Sequence, residues 1–183
     1  MPNFARWLDR ELKAEKSAII NDADRAALSL MERPHWWTDP EIFTKLEDPL
    51  LRAAAFYYLH IQPDNSFAGG GVYNPQPGPL NLIRTAIDAD FESWKKVIGN
   101  SRFKRMFPSG IHSPSTLSKV PKGFEQSSPA ADFLKMKGFY TMEQLSDKEI
   151  VSGEAFEKVT ACFKAVKPLI DFINQAIYQP AKS

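Results

Sequence analysis

A chain of 183 residues has room for one domain with, at most, a short appendage. Its 43% hydrophobic and 25% charged residues argue against wholesale disorder, and no run approaches the roughly 18–20 apolar residues of a membrane-spanning helix. A net charge of +1 favours no particular partner, and the single cysteine, Cys162, excludes an internal disulfide and a cysteine-based zinc site.

The N-terminal string, Met1 to Trp7, lacks the basic-then-apolar layout of a secretory signal. With one thiol, this predicts a soluble, cytoplasmic protein. Charge is unevenly spread. Residues 1–52 carry 8 basic and 10 acidic side chains, whereas residues 95–137 carry 9 basic and 2 acidic, a net of +7. That excess is either a positive face toward an anion or an ordinary solvated surface.

Residues 1–52 read as a helical segment. Phe4, Leu8 and Leu12 are four apart, Ala23, Ala27, Leu30 and Met31 continue helical spacing, Pro34 stops it, and Asp39-Pro40-Glu41 opens a short helix. From 53 the character changes, and residues 53–183 are expected to form an α+β domain. Residues 53–62 read as a strand with Tyr57, Leu59 and Ile61 on one face and Phe56, Tyr58 and His60 on the other. After Pro63-Asp64-Asn65, residues 66–73 read as its antiparallel partner. Gly69-Gly70-Gly71 there signals a bulge, or a place where another backbone or a ligand comes close.

Three short helices follow. The first opens at Pro79 and buries Leu80, Ile83 and Ile87; the second carries Phe91, Trp94 and Val97/Ile98 and closes at Gly99; the third carries Phe103, Met106 and Phe107. Residues 108–124 read as loop, with strand-like spacing at Leu117 and Val120. Ser128-Pro129 opens a helix to about Met136, Phe139 to Leu145 reads as a strand, and Ser146 with Glu149 has capping-box spacing. Phe156, Val159, Phe163, Val166, Ile170, Ile173 and Ile177 form one apolar stripe along a long helix that should cross the sheet, kinked or broken at Pro168. The fold class is therefore α+β, a small antiparallel sheet packed against helices.

The candidate chemistry is sparse. His35, His60 and His112 form no metal-ligand spacing, no nucleophile elbow is present, and no motif demands a cofactor. Cys162 sits within the helical stripe pattern and reads as a packed thiol. The glycine run is followed by a turn rather than a helix, which argues against a dinucleotide or P-loop site; it serves either an anion approached by bare backbone N–H groups or a tight strand contact. His60 lies on an aromatic face, where a hydrogen-bonded structural role is the plainer reading. Arg84 is either a charge clamp or the partner of Asp88 one turn later.

Several segments carry a resemblance. Tyr57-Tyr58-Leu59-His60-Ile61-Gln62-Pro63 with Ser66-Phe67-Ala68-Gly69-Gly70-Gly71-Val72 comes first. The helix Leu82-Ile83-Arg84 to Ile87-Asp88, Val120-Pro121-Lys122-Gly123-Phe124, Leu134-Lys135-Met136-Lys137, and Lys167-Pro168-Leu169-Ile170-Asp171-Phe172 follow in order. Together they resemble the uncharacterised bacterial and fungal family known as domain of unknown function 2461, over about residues 54–180. That family's upstream Arg-x-x-Arg-Asp-x-Arg-Phe run has no counterpart in residues 1–52. The resemblance implies a fold and no known activity.

Two functions fit these residues. One is a polar pocket holding an anionic small molecule, built from His60, Gly69, Gly70, Gly71, Arg84, Lys122 and Lys137, in an enzyme or a binding protein. The other is a non-catalytic protein-interaction module, or a truncated family member, whose site has decayed. The basic stretch 95–137 lacks a nucleic-acid-binding motif, which argues against nucleic acid as partner. Reaction, substrate and oligomeric state are not written in the sequence.

Overall fold

The structure, a computed structural model, describes residues 54–178. The helices expected within residues 1–52 lie outside them. Strands β1 (Phe56–His60), β2 (Ser66–Val72) and β3 (Phe139–Leu145) form an antiparallel sheet in the order β1-β2-β3. Helices α1 (Pro77–Ala89), α2 (Phe91–Gly99), α3 (Ser101–Met106) and α4 (Ala131–Leu134) lie between β2 and β3, and α5 (Asp147–Ser152) and α6 (Ala155–Tyr178) follow. This is the expected α+β class.

Each element has a local cause. Pro77 opens α1, two residues before the proline expected there, because its missing N–H is one that a first helical turn leaves unbonded anyway. The Asp90 side chain accepts from Ser93 N–H at 2.9 Å and the Asn100 side chain from Arg102 N–H at 2.8 Å, starting α2 and α3. Ser146 and Glu149 form the full capping box of α5, and Gly153, at φ 85°, ends that helix in the left-handed region. The helix expected from Ser128 to Met136 is only the four-residue α4, since Gly138 and the ties described below bend the chain away.

Alternation sets the layers. Tyr57 meets Phe163 of α6 at 5.0 Å, so the β1 face carrying Tyr57 and Leu59 is toward α6. The opposite face carries Tyr58, His60 and Phe67, whose rings cluster at 5.0–6.4 Å. Helix α6 crosses the α6-side face with Val159, Phe163, Val166, Ile170, Ile173 and Ile177 buried, as the stripe predicts. Phe156 departs from it: at 40% exposure, it lies in the first turn, short of the core. The helix runs unbroken through Pro168, which is exposed; on that side water can satisfy the carbonyl that the proline leaves without a donor. Trp94 of α2, fully buried, packs edge-on against Phe133 and Phe139 at 5.4 and 5.7 Å and closes the core at the end of the sheet where β3 begins.

The glycine run is no bulge. Pairing is one-for-one from Phe56↔Gly71 to His60↔Phe67 on one side and from Ser66↔Leu145 to Val72↔Phe139 on the other. A Cβ on Gly69 would lie 2.0 Å from the Thr141 carbonyl oxygen, and one on Gly70 would lie 2.9 Å from Ile170 Cδ1. Close approach of β3 and α6 therefore requires the run.

Candidate functional site

The site is built where α1 meets the segment joining α4 to β3. Leu80, Ile83 and Ile87 bury one face of α1, and Arg84 lies within that face, only 7% exposed. Its Nη2 donates to the Met136 carbonyl oxygen at 2.8 Å, just beyond the C-terminal end of α4. Its Nε is buried without a partner, and no carboxylate among the described residues pairs with it. Burial pushes the guanidinium pKa down from its usual value, yet arginine remains charged at neutral pH. The result is a buried cation held by one neutral carbonyl.

The ion-pair partner that the sequence offers Arg84 is engaged elsewhere. Asp88 accepts from the Ser128 hydroxyl at 2.6 Å, which ties the loop to α1 one turn beyond Arg84. The same Ser128 oxygen accepts from Ala130 N–H at 3.1 Å, setting the turn into α4.

Lys137 follows Met136 directly. Its N–H is shared between the Ser113 hydroxyl at 2.9 Å and the Ser115 carbonyl at 3.1 Å, and Leu117 N–H donates to the Lys135 carbonyl at 2.8 Å. Residues 112–117 thus run antiparallel along 135–140, with bridges His112↔Tyr140 and Thr116↔Met136. The strand-like character expected at Leu117 and Val120 is reduced to this irregular ribbon. Gly138 makes it possible: a Cβ there would lie 1.9 Å from the Tyr73 carbonyl oxygen.

The long irregular segment between α3 and α4 is thereby fastened at several points, with Gln126 also donating to the Val120 carbonyl at 2.9 Å. Irregular segments of this length inside a compact domain commonly serve function. Lys119 and Lys122 are exposed on it. Neither they nor Lys137 form an ion pair among the described residues, whereas Lys135 is neutralised by Asp132 at 2.6 Å.

The seven residues singled out by sequence do not form one cluster. Arg84 and the Lys137 backbone meet at Met136, and the loop that carries Lys122 is anchored on α1 beside them. His60 is elsewhere. It pairs with Phe67, five residues along β2 from Val72, roughly 17 Å at the usual rise per strand residue. Its Nε2 lies 2.9 Å from Gln62 Oε1, and its ring stacks on Phe67. Gly69 and Gly70 are buried, and their bare Cα positions are filled by β3, β1 and α6.

Sequence reasoning missed the Met136 carbonyl and the Ser128–Asp88 tie. Ser128-Pro129 is legible as a helix start, but the Ser128 partner forty positions earlier is not. Cys162 is fully buried, and burial pushes its thiol up to about 12, as suits a packed residue. Among the described residues, no group of histidine, cysteine and carboxylate side chains is placed to hold a metal, and no helix is long and apolar enough to cross a membrane.

The described fold defines an α+β domain in which a three-stranded antiparallel sheet is crossed by one long C-terminal helix. The model of the family described as conserved hypothetical protein (DUF2461) matches residues 44–172, and the chain belongs to that family. Three segments carrying the resemblance, the Ile83-Arg84 helix, the loop with Pro121-Lys122-Gly123-Phe124, and Leu134 to Lys137, are those tied together here. A second model, malonyl-CoA decarboxylase C-terminal domain, matches residues 1–70, most of which precede the described region. No curated protein matches the chain. No solved structure matches it either.

Proposed function

We propose that the domain binds an anionic small molecule at Arg84, with Lys137 beside it and Lys122 reaching from the loop. One observation carries this reading: among the described residues, a guanidinium that is 7% exposed has a single neutral hydrogen-bond partner and no carboxylate. A buried charge without a counter-ion is costly, and an anion arriving there relieves that cost while gaining oriented donors. His60 and the glycine run have no part in this site.

A thermal-shift screen of anionic metabolites tests the reading, because a ligand that binds only the folded chain raises its midpoint. Malonyl-CoA belongs in the screen. The second family model is named for an enzyme of that compound, which carries a carboxylate and several phosphate charges. A hit should weaken roughly tenfold or more in Arg84→Met, since a charge-assisted hydrogen bond is worth about 1.5–3 kcal/mol. Absence of any hit, or a hit untouched by Arg84→Met and Lys137→Met, would refute it.

The interaction-module reading has its own support. Tyr58 and Tyr73 are 54% and 64% exposed on the sheet side away from α6, and exposed aromatic side chains are favoured at protein interfaces. Under that reading, Tyr58→Ser with Tyr73→Ser abolishes partner capture, and Arg84→Lys does not.

A further inference from the structure

Resting on the anion-site reading, we infer that Ser128 keeps Arg84 open to an anion by holding away a carboxylate of this chain that would otherwise occupy it. That carboxylate is Asp88. It stands four residues after Arg84 and is the only acidic side chain within α1. Residues at that spacing lie about 5–6 Å apart at Cβ, and arginine and aspartate placed so form ion pairs on helices. Cα–Cβ bonds on a helix tilt toward its N-terminus, so that of Asp88 leans toward the turn carrying Arg84.

The pair is nevertheless not made. A buried guanidinium held by one neutral carbonyl gains from a carboxylate one turn away, yet among the described residues none lies within ion-pair distance of Arg84. Asp88 instead accepts from the Ser128 hydroxyl at 2.6 Å, a short charge-assisted hydrogen bond. Ser128 is itself fixed. Its hydroxyl oxygen accepts from Ala130 N–H at 3.1 Å and its carbonyl from Ala131 N–H at 3.0 Å, and the Ala130 between them is fully buried. The hydroxyl that takes Asp88 is therefore presented by a turn seated in the core.

The same three residues have two arrangements. In the observed one, Ser128 holds Asp88, and Arg84 keeps its Nε–H unbonded. In the other, Asp88 turns to Arg84, neutralises it and closes the site, while the Ser128 hydroxyl is released. An anion on Arg84 repels Asp88 toward Ser128, and the Ser128 bond keeps Arg84 free for the anion. Anion binding and the fastening of the loop to α1 thus favour each other, and such coupling is reciprocal. Ser128 is a positioning residue that acts on the ligand through Asp88.

Calorimetric titration of methyl phosphate, as the small anion, into the full chain at fixed ionic strength tests this in a double-mutant cycle. Ser128→Ala should weaken binding about fivefold or more, the factor by which the open arrangement is depleted. With Asp88→Asn already in place, the same replacement should cost less than about twofold, because no charged competitor is left. Ser128→Thr, which keeps the hydroxyl, should bind like the wild type. Without any anion, Ser128→Ala should shift the Arg84 Nε–H nitrogen signal, and should leave it in place when made beside Asp88→Asn. Equal losses of affinity in both backgrounds, or an Arg84 signal that Ser128→Ala never moves, overturn the inference and leave the anion site standing, with Ser128 only shaping the turn into α4. Failure of methyl phosphate to bind the wild type overturns the anion site itself, and the inference with it.

Discussion

Replacing Asn174 with leucine tests how the chain is fastened where it enters the sheet. The Asn174 side chain accepts from Ala55 N–H at 2.8 Å and donates to the Ala55 carbonyl at 3.2 Å, a backbone-like pair one residue before β1. Both residues are buried. Leucine has nearly the same shape and offers neither group, so two buried peptide polar atoms lose their partner. At about 1–3 kcal/mol for each such atom, Asn174→Leu should lose about 2–6 kcal/mol. Urea unfolding followed by far-ultraviolet circular dichroism measures this, with an unchanged denaturant slope confirming that stability alone has moved. Asn174→Asp separates the two bonds. Its carboxylate still accepts from Ala55 N–H but repels the carbonyl, so it should be destabilised at pH 7 and recover partly in acid as the carboxyl gains a proton. A loss below about 0.5 kcal/mol in Asn174→Leu would mean that the Asn174 pair does not fasten the chain there, since that lies within the range of ordinary surface substitutions.

Gly69→Ala should destabilise by about 3 kcal/mol or unfold the domain, because its Cβ would fall 2.0 Å from a backbone oxygen of β3. Gly99→Ala, with nothing within 4 Å and a helical backbone, should stabilise by about 0.4–1 kcal/mol in the same assay. Ile170→Ala should cost about 2–5 kcal/mol, since Ile170 is 1% exposed and packs over Gly70. The two hydrogen bonds from Ser146, followed by the Lys158 contact, hold the Glu149 carboxyl down at about 2 from 4.5. Its folded pKa is depressed, so the stability it contributes is present above about pH 4.5 and lost as pH falls toward 2. Thermal midpoints in that window should fall more steeply for the wild type than for Glu149→Gln, and parallel curves would contradict the capping role.

How much of this was legible in the sequence follows from the range of the interactions. The β1–β2 hairpin, the β3 strand, the capping box at Ser146 and the α6 stripe rest on residues within a few positions of each other, where period and turn chemistry speak directly. The site rests on contacts across long separations. Arg84 was visible as a cation near the apolar face of α1, but its burial depends on Met136, fifty-two positions later. Likewise, Asp88 stands one turn from Arg84, the spacing of an ion pair, yet a serine hydroxyl forty positions away takes it. The glycine run illustrates the converse. A bare backbone invites a ligand or a neighbouring strand equally, and only the register of β3 against β2 shows that the strand is there. Pro168 predicts a kink or a break because a proline removes one helical hydrogen bond. On an exposed face of a helix anchored by a dozen buried residues, that loss is too small to interrupt it.

Under the proposed function, the Arg84 guanidinium receives an anion instead of serving only as a clamp on the Met136 carbonyl. Nitrogen-15 nuclear magnetic resonance of the arginine Nε–H groups observes it directly, with the Arg84 signal assigned by its loss in Arg84→Lys. On addition of methyl phosphate, the Arg84 signal should shift and saturate while those of Arg102 and Arg105, exposed on α3, stay in place. An Arg84 signal that does not move, or that moves only in step with Arg102 and Arg105, would mean that no anion is received there.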